Sequence, residues 1–103
     1  MVHLVTSVQD FKSSIKTGVS VVDFYATWCG PCKVIAPKVV EFSKQYQPAT
    51  YLKVDVDELS ELAQEYGIRA MPTFMIFKDG EKVDELVGAN PVALEQKIKA
   101  YVK

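Results

Sequence analysis

Apolar residues along the chain change period several times, and each change marks an element. Val2 to Val5 is a short apolar run that predicts a first strand. Ser7-Val8-Gln9-Asp10 resembles a capping box, and Phe11 with Ile15 gives the following helix an apolar i, i+4 face. Gly18 supplies a C-terminal stop. Val19 to Tyr25 is dense in β-branched and aromatic residues and predicts a central strand. From Pro31 to Tyr46, the residues Ile35, Ala36, Val39, Val40, Phe42 and Tyr46 fall at helical spacing, and Pro37 is expected to kink that helix. Gln47 to Ala49 reads as a loop.

Tyr51 to Val56 reads as a third strand, with polar positions alternating at Lys53, Asp55 and Asp57. Glu58 to Tyr66 predicts a short helix with acids in its first turn and Gly67 beyond its end. Thr73 to Phe77 predicts a strand, Lys78-Asp79-Gly80-Glu81 a hairpin turn, and Lys82 to Val87 the antiparallel return. Asn90 and Pro91 open a last helix that buries Leu94, Ile98, Tyr101 and Val102. The order is β-α-β-α-β-α followed by β-β-α. Strand-helix-strand units require parallel neighbours and the hairpin adds antiparallel ones, so the expectation is an α/β fold with one mixed sheet covered by helices.

Size and charge narrow the function. A chain of 103 residues, 49% hydrophobic, suits a single domain spanning 1–103 with one core and no need of disulfide staples. The formal net charge of −1, with acids and bases interspersed, argues against a nucleic-acid arm or a polybasic membrane anchor. No apolar run is long enough to span a bilayer. Met1 to Ser7 lacks a basic region followed by an apolar core, so no leader is expected. A reducing, cytoplasmic setting fits two cysteines confined to one local motif.

Those cysteines, Cys29 and Cys32, stand where the central strand hands over to the long helix. A two-residue spacing at a helix start allows the sulfurs to meet in a disulfide. Gly30 relaxes the turn, and Pro31 suits the first helical position. The free N–H groups and dipole of the helix favour a thiolate on Cys29, while Cys32, one turn in, is expected to be the more buried. Cys29 then attacks a substrate disulfide and Cys32 resolves the mixed disulfide. The uncharged Gly-Pro pair favours a reductant. Half of a zinc site is the competing reading. Zinc wants four ligands and the chain adds only a distant His3, so closure would need two copies.

Other residues leave alternatives open. Asp23 interrupts an apolar strand. It is either a buried carboxyl of raised pKa that takes the Cys32 proton, or an ordinary polar residue, exposed or paired with Lys53. Lys53 fits a solvated strand face better than a tuning role. Trp28 fits either an exposed apolar surface beside the thiol or the core. Pro72 opens a strand, and with only about 5–6% of X–Pro bonds cis, a trans bond is expected from the residues alone. There is no phosphate loop, no dinucleotide fingerprint and no stacking platform.

Asp23-Phe24-Tyr25-Ala26-Thr27-Trp28-Cys29-Gly30-Pro31-Cys32-Lys33 resembles the active-site signature of the thioredoxin family. The resemblance extends to Pro37, Lys53-Val54-Asp55-Val56-Asp57, Met71-Pro72-Thr73 and Gly88-Ala89, nearly the full length. It implies the thioredoxin fold, a central five-stranded mixed sheet flanked by four helices. It implies a protein-disulfide reductase and electron carrier working through a reversible Cys29–Cys32 disulfide, with Asp23 assisting proton transfer. Gly30, Pro31, Lys53 and a cis Pro72 then tune the pair. Trp28, Met71, Pro72, Gly88 and Ala89, with Val87, grip substrate. Protein disulfides and an NADPH-dependent thioredoxin reductase are the implied partners, with no cofactor, metal, nucleic acid or membrane, and a monomer is expected. Met71 stands where Ile or Val is common, which bears on client preference. A redox-independent binding subunit is the alternative from another class.

Overall fold

The computed structural model describes residues 1–103. Nine elements follow in order: β1 (Val2–Leu4), α1 (Val8–Ser14), β2 (Val19–Tyr25), α2 (Gly30–Gln45), β3 (Thr50–Asp55), α3 (Ser60–Glu65), β4 (Thr73–Lys78), β5 (Glu81–Val87) and α4 (Pro91–Tyr101). The strands form one sheet in the order β1-β3-β2-β4-β5. β1, β3 and β2 run parallel, while β4 is antiparallel to both β2 and β5. The expected five-stranded mixed sheet with four helices is the one observed.

Alternation along the strands divides the core into two layers. Val22, Phe24, Leu52, Val54, Met75 and Phe77 face one side and meet Phe11 and Ile15 from the first helical segment and Leu62 from α3. Val21, Tyr51, Phe74 and Ile76 face the other side and meet Ile35, Val39 and Phe42 of α2 and Leu94 and Ile98 of α4. β2 and β4 are covered on both faces, which is why their sequences are almost continuously apolar. The sheet's outer strands differ from these. β1 has only three residues, and β5 carries Glu81, Lys82, Asp84 and Glu85.

Because β4 is antiparallel to β2, it starts at the edge of the sheet where β2, β3 and β5 end. Cys29 after β2, Asp57 after β3, Pro72 before β4 and Gly88 after β5 are therefore delivered to one edge. This convergence follows from topology alone.

Several local expectations need correction. α3 begins at Ser60, not Glu58, because the Asp55 carboxylate accepts from the amides of Asp57 (2.9 Å) and Glu58 (3.3 Å) and holds residues 56–59 in turns. Asp55 is accordingly buried, and β3 does not alternate cleanly. Ala36 and Val40 lie outside the buried stripe of α2, and Val40 is 43% exposed. Tyr101 and Val102 are only half-buried. Pro37, as expected, lies inside the continuous helix α2. Pro37 and Lys33, whose carbonyl loses its partner, are both exposed, so water can supply the missing bond. Met71-Pro72 is cis, against the base-rate expectation and in line with the family resemblance, and Gln47-Pro48 is cis as well.

The Phe11 ring packs against Phe24, Tyr66 and Phe77 at centroid distances of 6.4, 5.7 and 5.6 Å. Phe11→Ala is expected to lower the unfolding free energy by about 3–5 kcal/mol in urea titration, whereas Val40→Ala on the exposed helix face stays within about 0.5 kcal/mol.

Candidate active site

Cys29 is the N-cap of α2, with extended backbone angles (φ −86°, ψ 111°). Its sulfur accepts a hydrogen bond from the Cys32 amide at 3.2 Å. Ser, Thr or Asp usually caps a helix with a side-chain oxygen; here a sulfur takes that place. Pro31 follows within the first turn, where its missing N–H costs nothing. The two cysteines are joined in a disulfide, with a Cα–Cα distance of 5.3 Å. Both are buried and nearly equally so, at 5% and 4% exposure, so the expected contrast in burial is not found. The tight turn places both sulfurs in the same small apolar cluster with Ala26, bordered by Tyr25, Val56 and Met71.

The other parts of the chain close around this turn. The Met71 carbonyl oxygen lies 3.5 Å from Cys29 Sγ. Next to it, the buried Pro72 accepts from the Gly88 amide at 2.9 Å. Gly88 has φ +106°, a conformation open to glycine, and it turns the chain away from the sheet at this point. Ala89 follows on the surface. Trp28 is 67% exposed, which decides between the two readings of it: its ring is surface beside the disulfide. Its indole Nε1 donates to Asp57 Oδ2 at 2.9 Å. That tether was not foreseen; the sequence shows only an acid just past a strand end.

Asp23 lies beneath. It follows Val21 at strand spacing and so faces the α2 layer. It is 6% exposed, and its Oδ1 has no hydrogen-bond partner in the protein. Burial drives its pKa from 3.8 up to about 7, and the positive charge of Lys53 pulls it partly back. Lys53 is the β3 partner of Asp23 in the sheet register and is half-buried rather than fully solvated. A cavity of about 280 Å³ is lined by Asp23, Cys32, Lys53, Lys33, Thr27 and Tyr25, among others, so Asp23 and the second cysteine border one space. No group of His, Cys, Asp and Glu side chains is arranged to hold a metal ion.

A helix-capping dithiol in a disulfide, with a buried carboxyl behind it and a cis-proline beside it, defines a dithiol–disulfide exchange protein. Known proteins narrow the class. The sequence profile described as "Thioredoxin" matches residues 2–100. The chain is 59% identical over 100 residues to Thioredoxin-2 of Pyricularia oryzae, covering 96% of this chain and 58% of that one. It is 56% identical to Thioredoxin-1 of Schizosaccharomyces pombe over 97% of this chain and 98% of that one. The solution structure of oxidised thioredoxin from Plasmodium falciparum superposes with a TM-score of 0.94 at 48% identity, covering the whole of both chains. The chain belongs to the thioredoxin family, and its chemistry is thiol–disulfide exchange at a redox-active Cys29–Cys32 pair.

The raised Asp23 pKa has a consequence for stability. Between pH 4 and 7 the unfolded chain ionises this carboxyl while the folded chain keeps it protonated, so stability falls as pH rises through that window and levels off above 7. Moving the midpoint from 3.8 to about 7 is worth on the order of 4 kcal/mol. Asp23→Ala is therefore expected to gain stability relative to wild type as pH rises from 4 to 7, by up to about that amount. Urea unfolding at a series of pH values measures this. A difference that does not change with pH would mean an ordinary carboxyl.

Proposed function

We propose that the protein reduces disulfides in other proteins, with Cys29 as attacking thiol, Cys32 as resolving thiol and Asp23 as the proton acceptor at the resolving step. The observation that carries this reading is the Cys29 sulfur at the α2 N-terminus, already accepting an amide hydrogen bond. The same amide and the helix dipole favour negative charge on that sulfur once the pair is reduced. The Cys29 thiolate attacks one sulfur of the client disulfide. That S–S bond breaks, one client thiolate leaves and takes a proton, and a mixed disulfide forms. The Cys32 thiol gives its proton to Asp23 across the shared cavity, directly or through a water. Its thiolate attacks the Cys29 sulfur and expels the second client thiolate, which also takes a proton. The client gains two electrons and two protons, and the Cys29–Cys32 disulfide is left.

Client backbone docks on the rim formed by Trp28, Met71, Pro72, Gly88 and Ala89. The exposed indole, held by Asp57, offers apolar area there. Main-chain groups beside the cis-proline offer strand-like pairing to an extended peptide. Gly30 and Pro31 set the turn, and Lys53 on β3 and Pro72 just before β4 border the pair. Disulfide substrates and a thioredoxin reductase are the partners common to the family. For this chain the reading adds NADPH as the electron source of that reductase, action as a single chain, and a cytoplasmic setting, supported by cysteines confined to the reactive pair. No helix is long and apolar enough to cross a membrane.

The test is reduction of insulin by a small dithiol. Wild type is expected to accelerate precipitation of the freed chains, and Cys29→Ser to show none of that acceleration. Cys32→Ser is expected to accumulate mixed disulfides visible on non-reducing gels; without such adducts the assigned order of attack fails. Asp23→Asn is expected to slow client release near pH 7 by about 10-fold or more while leaving adduct formation intact.

A further inference from the structure

Tyr25 is left without a role by the mechanism, yet it stands at the centre of the buried charge. It lies two residues beyond Asp23 on β2 and so on the same side of the strand. It lines the 280 Å³ cavity shared by Asp23 and Cys32. It also lines a second cavity of about 410 Å³, formed with Thr6, Asp55, Glu58 and Leu59. Tyr25, half-buried, is the one residue common to the two linings.

Lys53 lies against this residue. It pairs in register with Asp23 but takes part in none of the chain's four ion pairs. Its Nζ lies 5.8 Å from the centroid of the Tyr25 ring, within the ~6 Å reach of a cation–π contact. A lysine on a flexible four-carbon stem otherwise carries its ammonium out to water.

We propose that Tyr25 is a positioning residue for the resolving proton transfer, its ring holding the Lys53 ammonium at the wall of the cavity that Asp23 and Cys32 share. The proposal rests on the reading of Asp23 as proton acceptor. The titratable and charged groups around Asp23 are Lys53 from β3, Lys33 and Cys32 from α2, and Tyr25 from its own strand; β4 presents the apolar Phe74 opposite it. Around Tyr25 stand also Asp55 and Glu58. Burial, with Asp55, Asp23 and Glu58, holds the Tyr25 phenol above its usual pKa, so the ring stays neutral beside the cation. Lys53 is the one charge that draws Asp23 back toward ionisation, and a cation anchored on the ring keeps that pull constant.

The test follows the Asp23 carboxyl directly by carbon NMR titration of the oxidised protein. Tyr25→Phe keeps the ring and is expected to leave the midpoint where it is. Tyr25→Leu frees the ammonium and is expected to raise the midpoint, in the same direction as Lys53→Met and by no more. The double variant is expected to match Lys53→Met alone. A packing role has the opposite sign, because a smaller side chain admits water and lowers the midpoint. A midpoint unchanged or lowered in Tyr25→Leu overturns the proposal, as does additivity in the double variant. Should Tyr25→Leu not fold, the Lys53 ε-protons of wild type decide: an upfield ring-current shift supports the contact, and its absence overturns it. Failure of the Asp23 reading shows elsewhere, as undiminished client release in Asp23→Asn, and leaves these titrations readable.

Discussion

The first turn of a helix presents N–H groups with no partner inside the helix. In α2 one of them, the Cys32 amide, meets a sulfur instead of the usual oxygen. That substitution governs the site. It fixes Cys29 at the turn, sets Cys32 one turn further along, and brings the two sulfurs within bonding distance. The rest of the sheet supports it. β2 carries the chain to the helix start, the antiparallel β4 begins at the same edge with its cis-proline, and the end of β5 closes the rim by an amide bond to Pro72. A cap that in another protein would only stabilise a helix is here the reacting atom.

Beneath the cap, the molecule gives up stability. A carboxyl in β2, two residues from the core side chain Val21, sits without a hydrogen bond at one oxygen. Unpaired buried polar groups cost on the order of 1–3 kcal/mol. Lys53 offsets only part of this, since it lowers the carboxyl's pKa without forming a contact ion pair. A full salt bridge would keep Asp23 ionised at neutral pH and make it a poorer proton acceptor. The partial offset keeps its midpoint near 7, where a group can both take and return a proton. Misplaced charge of this kind in an otherwise apolar strand is expected where function and packing conflict.

How much of this was legible in the sequence depends on the range of the interaction. Element order, sheet composition and the reacting pair were readable because they rest on local periodicity, turn residues and a two-residue spacing. The α3 boundary was missed because an acid three residues back, Asp55, captures the amides that a helix would have started from. Ala36 and Val40 were placed on the buried stripe because helical spacing shows which residues share a face but not how wide the opposing layer is. Residues alone left Asp23 and Trp28 undecided and favoured a solvated Lys53 and a trans Pro72; the family resemblance tipped these, and the fold then placed them. The Trp28–Asp57 bond and the stacking of Lys53 on Tyr25 lay beyond either route. Each joins side chains from segments distant in sequence, and no local pattern announces them.

The outer strands bear on how such a carrier survives its clients. A protein that handles extended, partly unfolded chains meets many segments able to add to a sheet. Its own flanks are poor templates for that. β1 offers three residues, and β5 presents Glu81, Lys82 and Glu85 to solvent. On the proposed function, pairing with a client would then be left to the rim around the sulfurs, where a mixed disulfide makes capture temporary. Short or charged flanks of this kind disfavour edge-to-edge joining of one sheet to another.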